Sequence, residues 1–189
     1  MAGLAAVGGR SEARVVLQRL FRHRPARQTG AILYESVTRQ ARQPVFYADL
    51  GAPDTVEGRF ELYSLHVILL VCRLKDEGSE AAEVSQALFD AYLRSLDDAL
   101  RDMGVGDLSV GKKMRKLGQA FYGRAKAYDA ALAADSDELQ ALIGRTLFAD
   151  APGDEAAMAG YVRRATASLA AQPLVEILAG RAAWAEILS

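Results

Sequence analysis

The sequence predicts an all-α protein, a single-domain bundle of seven or eight helices. Three observations carry this reading. Val, Ile and Thr rarely alternate with polar residues over several positions, so the pattern of a half-buried strand is scarce. Ala, Leu, Arg and Glu dominate, and these residues lose little on entering a helix. Leu88, Phe89, Tyr92, Leu93, Leu96, Ala99, Leu100 and Met103 recur at helical spacing and fall on one arc. A chain of 189 residues, 51% hydrophobic, fits one domain with an ample core.

In chain order, Ser11–Phe21 reads as a short helix that ends near Pro25. Thr29 caps a second helix running to about Gln43, where Pro44 stops it. Residues 45–55 form a loop or single helical turn, pinned to the core by Phe46 and Tyr47. Asp54 or Thr55 caps a long helix to about Glu77, closed by Gly78. Ser79 opens the amphipathic helix that ends at Met103 and Gly104. Opposite its apolar arc, Asp90–Arg94 and Asp97–Arg101 are spaced i,i+4 as a solvated, salt-bridged face. The next helix spans about Val110–Ala134, with Asp107 or Ser109 as its cap. Ser136 or Asp137 starts another, ending near Ala149. Asp154 caps a helix to about Gln172, and Pro173 sits in the first turn of the last one.

The net charge of −1 conceals an asymmetry. Residues 1–42 hold eight Arg against Glu12 and Glu35, while residues 127–189 hold nine acids against four Arg. The basic end suits either an anionic partner or the acidic end of the same chain. The single cysteine, Cys72, excludes an internal disulfide and is compatible with a reducing compartment. No stretch reaches the roughly 18 apolar residues of a transmembrane segment. Leu62–Leu74 is too short and contains His66 and Arg73, so it reads as a central core helix. Val15–Phe21 is amphipathic and lacks the continuous apolar run of a secretory signal. The Arg-rich start resembles a transit peptide, but it runs into the fold without a Ser-rich linker. The composition therefore favours a bacterial cytoplasmic protein, peripheral at the inner membrane, over one of the mitochondrial matrix or inner membrane.

Catalytic chemistry has little to build on. Two histidines and one cysteine form no His-Glu-x-x-His, Glu-x-x-His or Cys-x-x-Cys pattern. Gly106 and Gly111 have phosphate-loop spacing and Lys112 follows, but Lys113 replaces the required hydroxyl and no strand precedes. The sequence predicts no catalytic residue, no metal site and no cofactor. Cys72, on an apolar helix, packs as a small hydrophobe. Arg59, His66 and Arg73 are seven apart and form one polar stripe. The stripe reads as an edge reaching solvent or an acidic neighbour, and it is also a candidate margin of a binding groove.

The most informative stretch runs from Gly104 to Arg124. Gly104 and Gly106 permit a reversal of direction. On the helix that follows, Met114, Leu117, Phe121, Tyr128 and Leu132 make a narrow apolar arc. Gly118 and Ala125 beside it are positioned for close approach of a neighbouring helix. Lys112, Lys113, Arg115, Lys116 and Lys126 spread over the remaining surface, with Arg124 at the arc's edge. Four of the chain's five lysines lie here, and no acid interrupts 110–127. A solvated face usually mixes both signs. An anionic partner (ribosomal RNA, lipid head groups or an acidic protein surface) competes evenly with an ordinary solvated face. No DNA partner is predicted.

Gly104–Arg124 resembles the signature of the ubiquinol-cytochrome c chaperone family, which assists assembly of the cytochrome bc1 complex, respiratory complex III. Leu33–Tyr47 and Asp54–Leu62 agree with it in the correct order. The resemblance covers about residues 30–150. It divides the chain into a basic N-terminal segment, 1–28, and a chaperone-like helical domain, 29–189. It implies an all-helical, non-enzymatic assembly factor whose client is newly made cytochrome b. In mitochondrial members the implied setting is the ribosomal exit tunnel, with a small partner protein.

Overall fold

A computed structural model describes residues 8–134 and 137–188, with side chains from residue 25 onward except that of Leu108. Among these residues there are eight helices and no strand: α1 (Gly8–Ala41), α2 (Pro44–Ala48), α3 (Val56–Leu74), α4 (Ser79–Asp102), α5 (Asp107–Ala133), α6 (Glu138–Thr146), α7 (Glu155–Ala171) and α8 (Leu174–Leu178). The all-α bundle is as predicted.

Helix α3 is the centre. Every residue from Ser64 to Leu70 is buried, the pattern of a helix that faces protein on all sides. Helices α1, α4, α5 and α7 pack around it, α6 spans α5 and α7, and α8 closes against α1 and α4. Thr55 caps α3 by accepting from the Gly58 amide at 3.1 Å, and Asp154 caps α7 by accepting from Ala157 N at 2.9 Å. Such caps are each worth about 1 kcal/mol. Phe46 on α2 is fully buried, and Tyr47 donates its hydroxyl proton to Ala41 O at 2.9 Å. The turn is thus pinned as its aromatics suggest.

Several sequence expectations are corrected. Helix α1 runs unbroken through Pro25 where two helices were expected, and it crosses the 28/29 position. Proline costs only its own N–H and a clash one turn back, and residues 26–41 are held by a long contact with α4. Helix α3 stops at Leu74, three residues short of Glu77, because Asp76 (φ 62°) and Gly78 (φ 95°) turn left-handed. Helix α5 starts at Asp107 without a side-chain cap. Asp107 instead pairs with Arg101, which also bonds Asp97 at 2.6 Å. Asp90 accepts from Gln86 at 2.8 Å rather than pairing with Arg94.

The close helix approach occurs at Gly30, not Gly118. A Cβ on Gly30 would lie 2.6 Å from the backbone of Ala87 and Leu88, whereas one on Gly118 meets nothing within 4 Å. The α1–α4 crossing therefore requires a residue without a side chain.

His66 is the larger correction, since it does not reach solvent. It is fully buried, and its Nδ1 lies 2.7 Å from Leu62 O. A carbonyl only accepts, so Nδ1 carries the proton and Nε2 of the neutral ring accepts. Tyr161 on α7 donates to Nε2 at 2.7 Å, and Gln40 on α1 donates to Tyr161 at 3.1 Å. Phe46, Tyr161 and Trp184 enclose the imidazole. Trp184 belongs to an irregular C-terminal stretch and donates to Ser36 Oγ on α1 at 3.0 Å.

Two predictions follow from this packing. Gly30→Ala lowers unfolding free energy by about 1–3 kcal/mol through overpacking, whereas Gly118→Ala raises it by up to about 1 kcal/mol; urea titration reads both. Burial pulls the His66 pKa from the ordinary 6.5 down to about 4. The unfolded chain then takes up a proton that the folded one refuses, so stability is full above pH 6.5 and falls as pH drops toward 4. The loss amounts to about 3 kcal/mol. His66→Gln should show a correspondingly flatter decline across that window when both proteins are unfolded in urea at each pH.

Candidate functional site

The nine residues singled out from the sequence separate into two groups. Arg124 reaches from α5 to Glu61 on α3 in a two-pronged pair, with Nε at 2.7 Å from Oε2 and the second contact to Oε1. Burial raises the Glu61 carboxyl pKa while Arg124 opposes that rise. Arg124 also lies over the Phe60 ring. Arg73 donates to Leu169 O at 2.8 Å and to Gln172 O at 3.2 Å, satisfying carbonyls at the end of α7, and pairs with Glu77 at 2.5 Å. His66 is in the core. Arg59 is exposed and bound to Asp54 at 2.6 Å, which holds that carboxyl below the ordinary carboxylate range. Arg59, His66 and Arg73 therefore do not share a surface stripe.

The remaining five, Lys112, Lys113, Arg115, Lys116 and Lys126, are exposed on α5. None has an ion-pair partner among the described residues. Gly106, Gly111 and Lys112 lie at the start of this helix, with no preceding strand to form a phosphate loop.

Two open grooves flank the C-terminal half of α3. One, of about 270 Å³ between α3, α4 and α5, is walled by Val71, Leu74, Ala82, Phe89, Phe121 and Tyr122. Its aromatic side is contiguous, with Phe89–Phe121 ring centres 4.8 Å apart and Phe89–Tyr122 5.4 Å apart. Tyr122 is 62% exposed, so this wall faces solvent. The other groove, of about 440 Å³, lies between α3, α5 and α7; Leu69, Cys72, Leu132 and Leu169 give it an apolar floor, and Arg73, Glu77, Asp129 and Thr166 add polar lining.

Lys75 borders both grooves and bonds Asp129 at 2.9 Å. The two side chains are 57% and 52% exposed. A pair so exposed holds weakly against water and salt.

Burial pushes the Cys72 thiol pKa up, and nearby Asp129 adds to the rise, so the sulfur stays protonated and poorly nucleophilic. Among the described residues no group of three or more His, Cys, Asp or Glu is placed to hold a metal ion. No described helix is long and apolar enough to cross a membrane.

Sequence reasoning placed Phe89 and Phe121 on core faces and did not find the grooves, which exist only once three helices meet. One signal was available: Tyr122 follows Phe121 and so sits about 100° around the helix from the apolar arc.

Comparison with known proteins agrees with this architecture. The chain is similar to the crystal structure of the Cbp3 homolog from Brucella abortus, with 33% identity and a TM-score of 0.80 over 91% of this chain and 97% of that one. It is 27% identical over 168 residues to ubiquinol-cytochrome c reductase complex assembly factor 1 of Drosophila melanogaster, covering 84% of this chain and 65% of that protein. The Homo sapiens protein of the same name is 26% identical over 61% of this chain and 39% of its own length. The chain thus spans less than two thirds of these curated relatives. Residues 48–184 match the sequence profile described as ubiquinol-cytochrome C chaperone. That match extends past Asp150 to the final helices and Trp184, and it establishes that the chain belongs to the ubiquinol-cytochrome c chaperone family.

Proposed function

We propose that this chain is a non-catalytic assembly chaperone of complex III that holds an apolar segment of newly made cytochrome b. Family membership supplies the setting. The observation that carries the reading is the groove where exposed Tyr122 rests against the buried rings of Phe89 and Phe121, beside a second groove of mixed polar and apolar lining. Membrane-destined segments are apolar along their length and associate in water with whatever apolar surface is offered. Lys75 borders both grooves, so a client segment lying along this side of α3 meets apolar wall from each. Their walls are open rather than enclosed, which suits a client that must later be released.

Chaperoning of this kind requires no reacting group. It requires apolar area that stays accessible without destabilising the carrier. Tyr122 meets that condition, since its ring rests on Phe89 and Phe121 while most of its surface remains in water.

The test is affinity purification of the tagged full chain from cells that make the bc1 complex. Cytochrome b should be recovered with the wild type. Recovery should fall by more than about tenfold with Tyr122→Glu and Ala82→Glu, because a charge is placed against the apolar client. Both positions are exposed, so thermal stability should be unchanged. Absence of cytochrome b from the wild-type sample, or equal recovery by the variants, would contradict the proposal.

A further inference from the structure

We propose that the outward face of α5 docks the protein on an anionic lipid bilayer. The observation is a cationic face that the fold does not use. At about 100° per residue, Lys112, Lys116, Gln119, Gly123 and Lys126 fall in one stripe about 21 Å long, opposite Phe121 and Tyr128. Arg115 and Lys113 lie on its two flanks. All of these residues are exposed.

No acid occurs between Asp107 and Asp129, and both of those are engaged, by Arg101 and by Lys75. Arg124, the other cation of this span, is neutralised by Glu61 on the inward side. Five positive charges therefore face outward with no ion-pair partner among the described residues, in a chain whose net charge is −1. Charge complementarity points to a polyanion.

Three features favour a bilayer over nucleic acid. The first is residue choice: the chain contains 23 basic residues but concentrates four of its five lysines here. Lysine carries a compact point charge on a flexible stem, suited to a field of head groups, whereas arginine makes the planar, forked contacts typical of nucleic-acid recognition. The second is shape, because the stripe lies on the convex side of one helix. A Cβ added at Gly111, Gly118 or Gly123 would meet nothing within 4 Å, so no groove walls rise beside it to follow a phosphate backbone. The third is its apolar edge. Tyr122 flanks the stripe near Arg115 and Lys126, and Met103 is 52% exposed at the turn that feeds α5. Aromatic and apolar side chains beside lysines match the head-group boundary of a membrane.

The neighbouring helix sets the orientation. Asp98 and Asp102 are exposed on α4, and an anionic surface repels them, so α5 faces the lipid and α4 turns away. Tyr122 also rims the groove assigned above to the client. Docking by α5 thus places the groove mouth at head-group level, where an apolar segment leaves or enters the bilayer. That last consequence rests on the client reading, whereas the docking itself does not.

The test uses the purified full chain with no client, sedimented with phosphatidylcholine vesicles with and without phosphatidylglycerol. Binding should require the anionic lipid and weaken steeply as salt is raised. Each cation near such a surface contributes on the order of fivefold in partitioning. The triple variant Lys112→Gln, Lys116→Gln, Lys126→Gln should therefore bind on the order of a hundredfold more weakly, with its thermal midpoint unchanged. Arg59→Gln, which removes a surface cation already paired with Asp54, should bind like the wild type. Failure to sediment with anionic vesicles, equal binding to neutral ones, wild-type binding by the triple variant, or binding to a structured RNA but not to vesicles would each overturn the proposal. Because cytochrome b is absent, these outcomes are independent of the client experiment.

Discussion

A helix segment buried on every side cannot leave a polar side chain to water, and that constraint on the middle of α3 organises the molecule. The inward-facing polar groups of α3 are met from α4, α5 and α7. Glu61 receives Arg124 from α5. Ser64 donates to Phe60 O at 2.7 Å, so the hydroxyl 2.6 Å away on Tyr92 of α4 must be the donor to Ser64. His66 accepts from Tyr161 of α7, and Arg73 ties down the C-terminal carbonyls of that same helix. A buried group stripped of its partner costs about 1–3 kcal/mol, so these contacts reject alternative packings of α4, α5 and α7 that apolar burial alone would tolerate. Helix α1 is fixed by shape as well, through the backbone contact at Gly30, alongside hydrogen bonds from Gln40 to Tyr161 and from Arg42, at its end, to Tyr63.

The same constraint explains what the sequence could reveal. Periodicity and caps are local, and they located most of the helices, the Thr55 and Asp154 caps and the reversal at Gly104. The central place of residues 62–74 was also legible, because a largely apolar run whose only ionisable interruptions with charge near neutral pH are His66 and Arg73 has few other uses. The roles of those two interruptions were not. Their partners lie about a hundred residues away, on α7, and no spacing within α3 announces them. Seven-residue spacing suggested a surface stripe; tertiary packing turned two of its three members inward. Pro25 was misread for a related reason, since the contacts that keep α1 continuous are with α4 rather than within the helix.

Among the described residues, Lys112, Lys113, Arg115, Lys116 and Lys126 have no ion-pair partner, and Tyr122 leaves most of its ring in water while resting on Phe89 and Phe121. Sequence reasoning found the cations because a run without acids is visible in one dimension. It did not find the groove, whose walls come from α3, α4 and α5. The two features meet along one edge of α5, where the proposed lipid face and the proposed client groove adjoin at Tyr122. Membership of the ubiquinol-cytochrome c chaperone family gives that combination a context.

The central claim is a separation between residues spent on folding and residues left for function. Its most direct measurement is the bc1 content of cells lacking the protein and complemented by single variants, plotted against each purified variant's thermal midpoint. Glu61→Gln and Arg73→Gln should lower both quantities together, as losses of stability do. Tyr122→Glu and the lysine-face variant should lower bc1 content at an unchanged midpoint. If all four fell on one line relating bc1 content to stability, the surface would have no role beyond the fold and the account would be contradicted.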